Sequence, residues 1–217
     1  MTVPTSPDLS SLLGPLIRDV PDFPKPGVVF KDIGPLLRDP AAFNTVVDAF
    51  ATATRAALVG GDDGGDATPS RDASGGGAGD VPGGAVGFDP GFDVVLGIEA
   101  RGFLFGVPVA LRTGTGFVPV RKAGKLPGAT LSASYALEYG EATIEVQDGA
   151  VHPGDRVLVV DDVLATGGTV AASLELVARA GGTVVAVAVL LELGFLGGAA
   201  ALRGRGYTGP LVALRTV

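Results

Sequence analysis

Apolar and polar positions change period several times along the chain, and each change marks an element. After Asp39-Pro40, an N-cap followed by proline at the first helical position, Phe43, Val46, Val47, Phe50, Ala53, Ala57 and Leu58 recur at helical spacing. That pattern stops at Gly60-Gly61. Further on, "FDVVLGI" reads as a strand, "GFLFGVPVALRTG" as a short helix ending in glycine, and "GFVPVRK" as a second strand. "RVLVVDD" is a third strand, "TVAASLELVARAGG" an amphipathic helix closed by Gly181, and "TVVAVAVLLEL" a fully apolar strand. Apolar strands separated by helices of this length predict βαβ units, hence an α/β fold with a parallel central sheet flanked by helices. Open sheets of this kind bind ligands beyond the carboxyl ends of their strands.

Between the first helix and the first of these strands, Gly60 to about Gly91 carries almost no large apolar residue. Such a stretch cannot offset its ordering entropy by burial, so it reads as a flexible Gly/Asp-rich insert, solvated rather than ligand-binding. With 217 residues, 47% of them hydrophobic, the chain suits a single domain over 1–217 carrying that insert.

The net charge of -7 argues against a nucleic-acid partner or an anionic membrane surface. It leaves room for a phosphorylated substrate, because a local site can oppose the global sign. No cysteine is present, which removes thiolate metal sites and cysteine nucleophiles. The N-terminal stretch lacks the basic and apolar regions of a signal peptide, and no run approaches the roughly 20 apolar residues of a membrane span. A cytoplasmic protein is expected. The one histidine, His152, falls in "DGAVHPGDR", a surface turn, so histidine acid–base chemistry is not expected.

One stretch demands a ligand. In "VLVVDDVLATGGTV" (Val157 to Val170) four branched apolar residues lead into Asp161-Asp162 and then into Ala165, Thr166, Gly167, Gly168 and Thr169. Two like charges at the end of a buried strand are costly unless something binds there. A loop of small residues opening a helix leaves backbone N–H groups free to converge on an anion, and the helix dipole adds positive character. Thr166 and Thr169 can add hydroxyl donors. No lysine follows the glycines, so this is a monophosphate cradle and not a Walker loop. Asp161 and Asp162 can accept from vicinal hydroxyls nearby, and a phosphate with a diol is a ribose 5-phosphate.

The motif as a whole resembles the phosphoribosyl pyrophosphate (PRPP) site of the type I phosphoribosyltransferases. "PDFPKPGVVFKDIGPLLRDPAAF" (Pro21 to Phe43), "GIEARGFLFG" (Gly97 to Gly106), "VRKAGKLPG" (Val120 to Gly128) and "YALEYG" (Tyr135 to Gly140) are similar to the adenine-specific branch of that family. The similarity spans nearly everything from about residue 20, and the insert is the clear departure. It implies transfer of phosphoribose from PRPP to adenine with Mg2+, giving AMP and pyrophosphate, a purine salvage step carried out by a homodimer. Magnesium would be held mainly by PRPP oxygens and water. Transfer to another base, and a non-catalytic PRPP-sensing regulator, stay open as alternatives; "FPKPGVVFKDI" favours adenine, and a regulator calls for a DNA-binding domain and a basic face.

Arg101 follows a strand at the ligand edge of the sheet, where a departing pyrophosphate needs positive charge. The resemblance assigns pyrophosphate to the Gly97 to Arg101 loop, with a non-proline cis peptide at Glu99-Ala100. It places Arg121 at a dimer interface, reaching the neighbouring subunit's pyrophosphate, with Lys125 beside it. Lys122 to Gly140 then forms a hood, in which Glu138 handles the purine N7 proton and Tyr139 shields the closed site. For the base, Phe30 can stack on the purine while backbone groups of Val29 and Lys31 read its edge. An arginine usually stands at the Lys31 position in that family, and a main-chain contact tolerates the change.

Overall fold

The computed structural model describes residues 6–60, 89–136 and 140–217. An N-terminal group comprises α1 (Ser6–Leu13), the antiparallel pair β1 (Arg18–Pro21) and β2 (Val29–Asp32), then α2 (Gly34–Arg38) and α3 (Pro40–Val59). The main body follows as β3 (Val94–Ile98), α4 (Gly102–Thr113), β4 (Gly116–Lys122), β5 (Thr130–Ala136), β6 (Glu141–Gln147), β7 (Arg156–Leu164), α5 (Gly168–Arg179), β8 (Thr183–Glu192), α6 (Gly198–Gly204) and β9 (Leu211–Thr216).

Seven strands form one sheet in the order β5-β6-β4-β3-β7-β8-β9. The strands from β4 to β9 in that order run parallel, as the apolar runs predict. At one edge β5 and β6 form an antiparallel hairpin joined to β4 through Arg121↔Glu145 and Lys122↔Ile144. The sheet is therefore mixed. The hairpin strands alternate buried and exposed positions, so their connection can be short and one face can meet water.

β7 shows why its sequence is apolar at every step. Leu158 and Val160 pack with Phe50, Phe105 and Leu190 on one face, while Val157 and Val159 pack with Leu96, Leu176 and Val189 on the other. Both faces are covered, and alternation disappears. The long helix starts where expected: the Asp39 side chain accepts from the N–H groups of Ala41 and Ala42, each at 3.0 Å. His152 is exposed in a turn where its own N–H donates to Asp155 at 2.7 Å, in agreement with the turn reading.

Residues 61–88, most of the expected insert, lie outside the described residues. Their two flanks meet: a side-chain atom of Leu58 in α3 lies 2.7 Å from where a Cβ on Gly91 would stand. The returning chain is fastened by Arg156, whose guanidinium reaches Asp89 at 3.1 Å and Asp93 at 3.0 Å. Hydrogen bonds from Arg156 lower the pKa of both aspartates and raise that of the arginine. This clamp stands at the amino ends of β3 and β7, opposite the ligand edge. Because the flanks are already in contact and fastened, replacing residues 62–87 by a short Gly/Ser join should leave the melting temperature within a few degrees of wild type. A thermal scan showing a large drop would mean that the replaced residues contribute to the packed structure.

Candidate functional site

The site begins where β7 loses one of its neighbours. Pairing with β3 ends at Val160, whereas pairing with β8 continues to Leu164, so β7 opens on one side at Asp161. The strand thus runs two residues past the aspartates, because β8 is long enough to keep pairing. Asp161 and Asp162 are only 9% and 6% exposed. The Asp162 N–H donates to Asp161 Oδ1 at 2.8 Å. Burial, followed by the neighbouring Asp162 charge, pushes the Asp161 carboxyl well above its ordinary value. Burial also raises Asp162, but there Arg101 opposes the shift. Asp162 Oδ2 lies 2.8 Å from Arg101 Nη2, yet this buried oxygen accepts no hydrogen bond.

Past Leu164 the loop Ala165 to Gly168 turns into α5. Gly167 has φ +83°, in the left-handed region that favours glycine, and caps the helix with no side-chain hydrogen bond. The first N–H groups of α5 therefore face a concavity of about 60 Å³, whose lining includes Asp161, Ala165, Thr166, Gly168 and Thr169. Here the predicted cradle residues and the first of the paired aspartates share one small hollow. A Cβ on Gly168 would come within 2.9 Å of the Tyr135 ring, so the β5 strand rests directly on the cradle.

Arg101 connects this edge to the N-terminal hairpin. Its Nη1 donates to the Lys31 carbonyl at 2.9 Å, and its guanidinium carbon lies 4.6 Å from the Phe30 ring centroid. Phe23 meets Phe30 edge-on, with centroids 5.1 Å apart. Because the Lys31 carbonyl points to Arg101 and not into β1, the backbone polar groups of Val29 and Lys31 face the open edge of β2. That is the edge a main-chain base reader needs. The Lys31 ammonium instead pairs with Asp19 at 2.7 Å, so its side chain is committed to the hairpin.

The Glu99-Ala100 peptide is cis, as the resemblance implies. Glu99, which sequence reading passes over, gathers the predicted cations. Its Oε1 lies 2.8 Å from Lys125 Nζ and 3.3 Å from Arg121 Nη2, and its Oε2 accepts from the Lys122 N–H at 2.9 Å. Burial alone would push this carboxyl up, but the hydrogen bonds from Lys125, the Lys122 N–H and Arg121 outweigh it and hold the group at about 2. Arg121 also donates to the Lys125 carbonyl at 3.1 Å. Within this chain the arginine expected to serve a neighbouring subunit is therefore engaged by Glu99. The only advance signal for Glu99 was an acid at the end of a strand, directly before Ala100-Arg101.

Glu138 and Tyr139 lie outside the described residues. Among the described residues no group of three or more His, Cys, Asp or Glu side chains could hold a metal ion, and no helix is long and apolar enough to cross a membrane.

Paired carboxylates feeding a small-residue loop that caps a helix, at the carboxyl edge of a mostly parallel sheet, are the arrangement expected of a phosphoribosyltransferase domain. The family model described as "Phosphoribosyl transferase domain" matches residues 88–200. The adenine phosphoribosyltransferase of Streptomyces coelicolor is 54% identical over the full length of both chains. That of Nocardioides sp. is 53% identical, over 99% of this chain and 97% of its own. The chain belongs to the adenine phosphoribosyltransferase family. Among solved structures, the enzyme of Thermoanaerobacter pseudethanolicus superposes with a TM-score of 0.74 at 41% identity, covering 98% of this chain and 100% of that one. The Saccharomyces cerevisiae enzyme, solved with an imino-altritol bisphosphate and adenine, gives 0.76 at 33% identity, covering 96% and 99%.

The aspartate pair has a consequence for stability. A carboxyl whose folded pKa is raised contributes fully at pH below its unfolded value and loses that contribution as pH rises through the folded value. At neutral pH the pair therefore opposes folding. The double variant Asp161→Asn/Asp162→Asn should melt at least as high as wild type at neutral pH, and its advantage should shrink as pH falls toward about 4. Thermal scans giving wild type the advantage at neutral pH would contradict the raised carboxyls.

Proposed function

We propose that the chain transfers the 5-phosphoribosyl group from PRPP to adenine, releasing AMP and pyrophosphate. The observation that carries this reading is Arg101, which touches the aspartate pair, the Lys31 carbonyl and the Phe30 ring at once. One guanidinium thus stands between a sugar-phosphate site and a base-reading strand. In this reading the cradle holds the 5-phosphate, and Asp161 and Asp162 hold the ribose hydroxyls. Arg101 faces the pyrophosphate, which Arg121, with Lys125 beside it, reaches from the neighbouring subunit. Adenine lies against Phe30 and is read by the main chain at Val29 and Lys31.

The purine N9 lone pair forms the bond to the ribose anomeric carbon while the bond from that carbon to pyrophosphate breaks, and the N7 proton passes to Glu138. Positive charge beside the departing pyrophosphate and correct positioning supply most of the acceleration. Magnesium, held by PRPP oxygens and water, supplies further charge neutralisation on the pyrophosphate. The hard oxygens of the nearby aspartates suit that ion without forming a protein cage for it.

The enzyme acts as a homodimer in the cytoplasm. An exposed apolar stripe on α4 supports the dimer: Leu104, Val107 and Leu111, at helical spacing, are 42%, 39% and 77% exposed.

Offered PRPP, Mg2+ and each base separately, the protein should convert adenine far better than hypoxanthine, guanine or orotate. A comparable kcat/KM for guanine would reassign the base. For Glu138, replacement by Gln keeps size and hydrogen bonding but removes the proton acceptor. It should lower kcat and kcat/KM together by about 10²–10⁴-fold with KM nearly constant. Single-turnover rates close to wild type would remove Glu138 from the chemistry.

A further inference from the structure

We propose that a hollow behind the N-terminal hairpin binds a small molecule carrying a phosphate or carboxylate group, and that filling it ties the hairpin to the sheet. The hollow has a volume of about 370 Å³ and lies at the carboxyl ends of β8 and β9, where Gly14, Ile17, Asp19, Lys31, Leu191 and Arg215 line it. It shares no residue with the phosphate cradle. Phe30 and Lys31 are successive residues of β2, so their side chains leave on opposite faces. Phe30 takes the face that meets Arg101, and Lys31 takes the other, toward the hollow. β9 is the edge strand, and β3, β7 and β8 separate it from β4, whose following loop the resemblance places at the dimer interface.

Arg215 carries the argument. Its side chain is half-buried, yet among the described residues it makes no hydrogen bond and no ion pair. Asp19, the acid of the hollow, is already paired with Lys31 at 2.7 Å. Val217 is held along β8, its N–H donating to the Glu192 carbonyl at 2.9 Å and its oxygen accepting from the Gly194 N–H at 3.0 Å. The rival reading is that Arg215 caps α1, because its Nη1 lies 3.6 Å from where a Cβ on Gly14 would stand. The carbonyls there are taken by the chain itself: that of Ser10 accepts from Gly14, and that of Leu13 from Leu16 and Ile17. A guanidinium with its donors unspent beside a hollow of this size calls for an oxyanion, which it can bind in bidentate fashion. Lys31 stands on the same wall as a second cation, and Ile17 and Leu191 offer an apolar surface to the rest of the molecule. An anion held by Arg215 of β9 and Lys31 of β2 joins the hairpin to the sheet on the side away from Arg101. This coupling, unlike the site itself, rests on the reading of β2 as the strand that meets the base.

Inorganic phosphate is the probe, titrated calorimetrically into protein saturated with AMP. Phosphate that enters the proposed active site is common to wild type and Arg215→Gln, so the readout is the binding that the substitution removes. That component should weaken by at least about tenfold in Arg215→Gln, and Arg215→Lys should recover part of it. Without phosphate the Gln variant should melt with wild type; with phosphate, wild type should melt higher. At saturating PRPP, phosphate should lower KM for adenine about threefold in wild type and leave it unchanged in the variant. Equal phosphate binding by the two proteins overturns the proposal. So does a Gln variant that melts well below wild type and still binds phosphate, which would make Arg215 a cap for α1. Arg215-dependent binding with an unmoved KM for adenine overturns the coupling. If wild type forms no AMP, the functional reading falls, whereas Arg215-dependent phosphate binding still upholds the site.

Discussion

Arg101 ties the N-terminal hairpin to the carboxyl edge of the sheet, and the proposed site depends on that bridge. It reaches the hairpin across 70 positions of sequence, through a hydrogen bond to a backbone carbonyl and a cation–π contact to Phe30. At the same time it neutralises Asp162. Only a planar fork can do all three, since one Nη serves the carbonyl, the other the carboxylate, and the flat face covers the ring. An ammonium would have to choose. β1 itself is exposed along its length and offers no apolar face with which to dock. β2 is therefore tied to this edge by a charged side chain, while Ile17 and Ile33 at the two ends of the hairpin anchor it to the core.

The aspartate pair shows the same economy from the opposite direction. Two adjacent carboxyls, both more than nine-tenths buried, are expensive when ionised, and Arg101 relieves only Asp162. Asp161 receives the Asp162 N–H and little else. The arrangement is poor for the stability of the protein alone and good for a ligand that brings hydroxyl donors.

The parts of this structure that sequence makes legible are those whose causes are local. β3, α4, β4, β7, α5 and β8 follow from apolar run length and helical spacing, because both faces of the parallel strands are covered. The cradle is legible because glycine and threonine must sit together in the loop that caps α5. The edge hairpin β5–β6 and the short β1–β2 pair escape, since half-exposed or fully exposed strands carry no apolar signature. Glu99 escapes for a different reason. Its partners lie 22 to 26 residues away, and nothing at position 99 alone announces that a β4 loop will fold over it. Arg121 was legible as a cation, but not its engagement by a carboxylate of its own chain.

An acidic chain can still present a basic mouth because of where each charge is spent. Several acids serve structural pairs: Asp32 with Arg18, Asp19 with Lys31, and Asp89 and Asp93 with Arg156. The net charge of -7 is a property of the whole surface, whereas the mouth is set by which groups lie outermost. At the ligand edge the carboxylates of Glu99 and Asp162 lie deeper than the cations they hold, at 10% and 8% side-chain exposure against 31–47% for Arg101, Arg121 and Lys125. In the proposed reading a phosphorylated substrate at that edge is met by guanidinium and ammonium groups, Arg101 from one subunit and Arg121 from its neighbour. The buried acids hold those cations in place, and in the proposed reading such local layering reconciles a polyanionic substrate with a protein of the same overall sign.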